Sequence, residues 1–311
     1  MVSRSKIWSG MSLAPLAAPG GELPVIVSYR PSAYRVARVQ GLEGVTPQRH
    51  YQILPYVALR VTAAGLYSLE QDPAVDRIWP DLPVRAYLDK AVPHVHAPAV
   101  WFEGHRGRGV RIAIVDTGID PNHPDLAGRV AACADLTGEG PRDGHGHGTH
   151  VAGIAAGSGA AGGGRYRGVA PEATLLAAKV LRSDGGGMTS TVLAGLEWAV
   201  GQQAQVINLS LGYAGSSDGS DALSTACDTI MARGIVVCVA AGNECPYPYT
   251  VGSPAAARQV ITVGACTAQQ QVADFSSRGP TRDGRAKPDL LVPGFNITSC
   301  RAAGTALGAV V

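Results

Sequence analysis

The chain has 311 residues, 46% hydrophobic and 16% charged, which suits a soluble globular protein with one large core and room for a small extra domain. Lys plus Arg is 26 against 24 for Asp plus Glu, so the net charge of +2 gives no footprint for nucleic acid or an anionic membrane. The longest apolar runs, such as GIVVCVAAG at 234–242, reach about half of the ~20 residues a spanning helix needs, and no membrane partner is expected. Six cysteines are too sparse for a disulfide framework.

Residues 1–21 read as a leader. Arg4 and Lys6 precede MSLAPLAAPG, but Pro15 and Pro19 break that apolar stretch, so no clear signal peptide is formed and localisation stays open. Residues 22–88 then show their own rhythm. VIVSY (25–29) reads as a strand, YRVARVQGL (34–42) as a helix, and Val57, Leu59 and Val61 alternate with Ala58, Arg60 and Thr62 as a half-buried strand. A short helix carrying Leu66 and Leu69 ends at Pro73, and VDRIW (75–79) reads as a last strand. The order suits a small α+β module of ferredoxin-like type.

From Gly107 the pattern changes. VRIAIVD (110–116), ATLLAAKVL (173–181), VINLSLG (206–212), IVVCVAAGN (235–243) and VITVGAC (260–266) are continuous apolar runs of the kind found in strands buried on both faces. Helical patterns intervene, one through Val192, Leu193, Leu196, Ala199 and Val200, another through Leu223, Ala226, Cys227, Ile230 and Met231. The alternation predicts an α/β fold with a doubly wound, mostly parallel sheet over residues 89–311. Ligands bind such sheets beyond the carboxyl ends of the strands, where Asp116, Ser210 to Gly212 and Ala240 to Asn243 fall.

Asp116 closes an apolar strand, and His147 stands between Gly146 and Gly148, which let backbone and substrate come close. A buried carboxylate bonded to one imidazole nitrogen fixes the tautomer and leaves the other nitrogen to take a proton from a hydroxyl. His145, His147 and His150 together with Asp116 also raise a metallohydrolase, but no usual zinc-ligand spacing is completed, and no metal site is assigned.

VDTGIDPNHPDL, DGHGHGTHVAGIAAG, GVAPEATLLAAKVL, VINLSLG, VVCVAAGNE, VGSPAAARQVITVGA, DFSSRGP and KPDLLVPG follow in this order between residue 107 and about residue 303. This series resembles the subtilisin family of serine proteases. The resemblance implies a serine endopeptidase acting on polypeptides, with Asp116 and His147 as acid and base of its charge relay. It implies further that Asn243 directs an amide at the developing oxyanion, although an asparagine in a left-handed turn after Gly242 is the plain alternative. Ser210, Leu211 and Gly212 match the segment that pairs with extended substrate, and Ala240, Ala241 and Gly242 line the apolar specificity pocket.

By the same resemblance residues 22–88 are an inhibitory propeptide, with PDLPVRAYLD (80–89) lying in the cleft; an unrelated accessory domain is the alternative. A monomer and secretion are what the family suggests. Calcium enters through Asp125, which matches a family ligand, but GSGAAGGGRYRG (157–168) holds no Asp or Asn to complete the site. Family members place a serine in a Gly-Thr-Ser motif near this point, whereas no serine follows Ser299 and the chain reads GTALGAVV from 304. Either the chain stops before the motif, or Ala306 replaces the nucleophile and the protein holds peptides without cutting them.

Overall fold

The architecture comes from a computed structural model that describes residues 5–8, 11–18, 20–30, 42–81, the backbone of 83–86, and residues 95–244, 246–267, 269–294 and 297–305. The chain forms two compact units, Met1–Leu82 and Pro83–Val311. The division falls ahead of the boundary expected at 88/89, because residues 83–86 pair with strands of the second unit.

In the first unit, β1 (Leu23–Tyr29), β2 (Val45–His50), β3 (Tyr56–Val61) and β4 (Val75–Pro80) form an antiparallel sheet in the order β2-β3-β1-β4. Helix α1 (Ala63–Gln71) is capped by Thr62, whose hydroxyl accepts from Gly65 N, and it buries Leu66 and Leu69 against the sheet. Full burial of each such side chain contributes about 1.5–3 kcal/mol. The strand through Val57, Leu59 and Val61 is buried along nearly its whole length, Arg60 alone being exposed, so the half-buried reading is corrected. Ala58 is the reason: it is small and apolar, and both faces of the strand accept cover. Residues within the stretch read as a leader also touch this unit. Ile7 bridges Ile78, and Ile7, Met11 and Leu16 pack on the core. The helix read over 34–42 lies outside the described residues, except for Leu42.

The second unit opens with β5 (Pro83–Ala86) and α2 (Ala97–Phe102). Its main elements are β6 (Arg111–Asp116), β7 (Val130–Asp135), α3 (His147–Ala156), β8 (Thr174–Lys179), β9 (Gly186–Met188), α4 (Thr189–Gly201), β10 (Val206–Leu209), β11 (Leu211–Gly212), α5 (Ala222–Met231), β12 (Val236–Ala240), β13 (Ile261–Cys266) and β14 (Leu290–Pro293). Seven of these strands make one sheet in the order β14-β13-β12-β10-β6-β8-β7, paired in parallel throughout. Helix α3 packs with Ile112 and Ile114 of β6, whereas Gly195 of α4 sits against Val115 and Ala178. Alternate residues of β6 point to opposite faces, so the two helices cover opposite sides and the sheet is doubly wound.

Burial on both faces holds for β6 and β8 but not for β12 and β13, which alternate buried with half-buried residues. The half-buried set, Cys238, Ala240, Val263 and Ala265, lines a cavity instead of meeting a covering helix. A second, three-stranded sheet has β5 in the middle, antiparallel to β11 on one side and β9 on the other.

Candidate active site

From β6 the chain goes to β7 and β8 on one side of the sheet and then returns as β10 on the other, so the strand order reverses beside β6. Crevices open at the carboxyl ends of strands at such a reversal. Asp116 is the last residue of β6 and His147 the first of α3, and both are fully buried. Their side chains meet, with His147 Nδ1 2.7 Å from Asp116 Oδ1. Thr117 N donates to the same oxygen at 2.7 Å, which fixes the plane of the carboxylate. With the carboxylate as acceptor the imidazole carries its proton on Nδ1, and the lone pair resides on Nε2.

Glycine makes the approach feasible. Gly146 caps α3 with φ +101°, a backbone that ordinary residues avoid, and a Cβ on Gly148 would land on the Gly118 carbonyl oxygen and 3.2 Å from Asp116 Cβ.

Asp143 is the part of the site that motif reading missed. Its buried carboxylate accepts five hydrogen bonds: Oδ1 from Thr117 Oγ1 (2.9 Å), His145 N (3.1 Å) and Gly146 N (2.7 Å), and Oδ2 from Thr149 N (2.9 Å) and Thr149 Oγ1 (2.6 Å). Thr117 Oγ1 in turn accepts from Gly148 N at 2.9 Å. The residue after Asp116 and the first turn of α3 are thereby tied to one anion, placed where orphan amides and the helix dipole favour negative charge. An acidic residue just ahead of a glycine-rich helix start is the signal that could have found it.

Lys179, also buried, ends β8 opposite Asp116 in the register. Its ammonium donates to Thr117 O at 3.1 Å and Leu181 O at 3.0 Å and lies 3.5 Å from Glu139 Oε2, so its charge is held by the loops around the site.

A cavity of about 440 Å³ adjoins the pair, and His147, Ser210, Ala240, Ala241, Gly242 and Asn243 are among its lining residues. Ala241 N donates to Val263 O and Ser277 N to Gly242 O, both at 2.8 Å, and Gly242 takes φ +114°. These bonds set the turn that presents Asn243. Ser210 accepts from Asn208 Nδ2 at 2.9 Å, and Leu211 and Gly212 form β11 against Ala86 and Arg85 of β5. Asp116, His147, Ser210, Ala240, Ala241, Gly242 and Asn243 thus lie in or beside one cavity, with Leu211 and Gly212 next to Ser210, whereas Ala306 lies outside the described residues.

The three histidines do not converge. The rings of His145 and His147 are 6.3 Å apart, and His150 Nε2 lies 3.3 Å from Ile297 O. Burial, and then the proximity of His147, lower the proton affinity of His145.

Sequence comparison agrees with this geometry. A model described as the subtilase family matches residues 107–309. Serine protease AprX of Bacillus subtilis (strain 168) is 42% identical over 264 residues, 78% of this chain and 60% of that protein. Subtilisin E of the same organism is 36% identical over 311 residues, 96% of this chain and 78% of that protein. The minor extracellular protease Vpr, also from that organism, is 40% identical over 196 residues, 58% of this chain and 23% of that protein. The chain therefore spans less than two thirds of AprX and somewhat more of Subtilisin E. The matched region takes in every strand of the parallel sheet and both members of the buried Asp–His pair, and the chain belongs to the subtilase family of serine proteases.

Proposed function

We propose that this chain carries the acid and base of a serine endopeptidase, with Asp116 orienting His147 and His147 acting as general base and then general acid in acyl-enzyme hydrolysis of extended polypeptides. The observation that carries this reading is the fully buried 2.7 Å contact between the two side chains, at the rim of a cavity lined by His147 and Asn243. The Asn243 amide serves as a donor to the oxyanion, and loss of such a donor costs about 10²–10³ in turnover, the effect seen when a subtilisin loses its asparagine donor. Leu211 and Gly212 supply main-chain groups to one edge of the substrate, Ser210 flanks that edge, and Ala240, Ala241 and Gly242 leave an apolar space for a side chain.

In this reading residues 22–88 are an intramolecular inhibitor of ferredoxin-like type. The antiparallel strand order of the first unit and the seating of β5 between β9 and β11 support it. A second reading, a peptide-holding protein without hydrolysis, is favoured by Ala306 after Gly304 and Thr305. The experiment is fluorophosphonate labelling and hydrolysis of a fluorogenic peptide. It uses the product of the whole reading frame, the 311-residue chain and its Ala306→Ser variant, each with and without His147→Ala. Labelling of the whole product that disappears with His147→Ala is expected; labelling indifferent to His147→Ala overturns the assignment. Labelling gained only by Ala306→Ser establishes the second reading.

A further inference from the structure

His123, Asp125 and Cys300 bring together an imidazole nitrogen, a carboxylate oxygen and a thiol, all within 4.8 Å of one another, the sole grouping of this kind among the described residues. Asp125 and Cys300 are each only 4% exposed, whereas His123 is half-buried, so the cluster has one side toward solvent. The two carboxylate oxygens have separate tasks. Oδ1 accepts from Ala161 N at 2.7 Å, while Oδ2 faces Cys300 Sγ at 3.7 Å. His123 Nδ1 accepts from Asp125 N at 3.1 Å, which aligns the ring with the carboxylate.

The thiol is placed by the fold. A Cβ on Gly153 of α3 would lie 2.5 Å from Cys300 Sγ and 2.9 Å from its Cβ, so the sulfur reaches Asp125 only because that helix position is bare. Segment 297–305 contains no helix or strand and is held by side chains: Ser299 Oγ donates to His150 O at 2.7 Å, and Ala303 N donates to Asp120 Oδ2 at 3.1 Å.

The donor set selects among cations. Calcium takes six to eight oxygen ligands, and the cluster offers carboxylate oxygen from one residue only. One nitrogen, one oxygen and one sulfur match a borderline-soft divalent ion of zinc type, and three protein ligands leave a fourth position open. Charge closes as well, because a thiolate and a carboxylate neutralise a doubly positive ion, so no net charge is buried.

We infer that His123, Asp125 and Cys300 form a three-ligand site for a zinc-type divalent cation, with solvent completing the coordination on the His123 side. Binding exchanges the thiol proton for the metal, one proton leaving to solvent for each ion bound, and no electron is transferred. The ion joins residues 175 apart in sequence, clamping segment 297–305 to the turn that carries His123 and Asp125. The site stands independently of the peptidase reading.

The test uses the 311-residue chain freed of metal by chelator and titrated with Co²⁺, then Zn²⁺. A sulfur-to-cobalt charge-transfer band saturating at one equivalent, bleached by Zn²⁺ and accompanied by release of one proton, is the expected result. Cys300→Ser abolishes the band, His123→Ala weakens binding at least about tenfold, and Zn²⁺ but not Ca²⁺ raises the thermal midpoint of the unsubstituted chain. Failure to form the band, its persistence in Cys300→Ser, or unchanged affinity in His123→Ala overturns the site. The half-buried His123 gives a variant that tests the site even if Cys300→Ser does not fold.

Discussion

Replacing Asp143 tests whether one buried anion holds the first turn of α3 in place. Asp143→Ala strands three backbone amides, of His145, Gly146 and Thr149, and two hydroxyls, of Thr117 and Thr149. The hydroxyls can rotate toward other acceptors, but each stranded amide costs about 1–3 kcal/mol. Water entering the space left by the carboxylate recovers part of this, and a net loss of about 3–5 kcal/mol is expected, the range for breaking a buried charged network. Hydrogen exchange read by mass spectrometry over residues 147–156 is the suitable assay, because it isolates local opening of α3 in a chain of two units. At ~1.4 kcal/mol per tenfold, exchange of the α3 amides should accelerate about 10²–10⁴-fold. Asp143→Asn, which keeps one acceptor oxygen, should fall between the two. Acceleration of less than tenfold in Asp143→Ala would refute the claim that this carboxylate organises the helix start.

Gly148→Ala should drive α3 from the end of β6 and erase the low-field proton resonance of the His147 Nδ1–H bond; an unshifted resonance would show that the Gly118 contact yields without cost. Hydrogen bonding from Arg285, partly opposed by burial and aided by Thr281, holds the Asp283 carboxyl down at about 2. A depressed carboxylate stabilises the fold above its unfolded value of 3.8, and that contribution is lost as pH falls through about 2. Asp283→Asn should therefore cost less than about 1 kcal/mol near neutrality, as expected for a surface pair, and its deficit in urea melts should vanish toward pH ~2. Thr62→Ala should weaken α1 by about 1 kcal/mol through loss of its cap, read as faster exchange confined to residues 63–71.

The parallel sheet was legible because Ile112–Val115, Leu175–Ala178 and Val236–Ala240 are apolar runs ending at or near polar residues. Strand β7 was not: its Val-Ala-Ala-Cys-Ala-Asp sequence is half-exposed at the sheet edge and, after Val130, holds only small residues in place of the bulky aliphatics that mark a buried strand. Strand β14 hides between Pro288 and Pro293 for a related reason. Asp116 and His147 could be paired from their flanking motifs, but Asp143 could not be placed with them. Its partners lie both within six residues and across a gap of 26, and only the folded chain brings Thr117 to the same oxygen as Gly146. The cavity wall misled in the opposite direction. Cys238, Val263 and Ala265 read as core because apolar residues lining a cleft and apolar residues under a helix look alike in sequence.

The middle position of β5 in its three-stranded sheet has a consequence for competition. The facing edges of β9 and β11 are already paired with a segment of the same molecule, so an incoming strand must displace one tethered in place. A segment held by the same chain acts as a local concentration that reaches about millimolar when the connection is short. Against an occupant of equal intrinsic affinity, a peptide that would bind the bare edges at about micromolar strength binds about 10³-fold more weakly, because only the small displaced fraction is open to it. Cutting the chain beside β5 removes one attachment but no contact. In the proposed reading of β5 as an inhibitory strand, the cleft would then be gained by dilution of the occupant, and occupancy by outside peptides should rise with time after the cut and not with the cut itself.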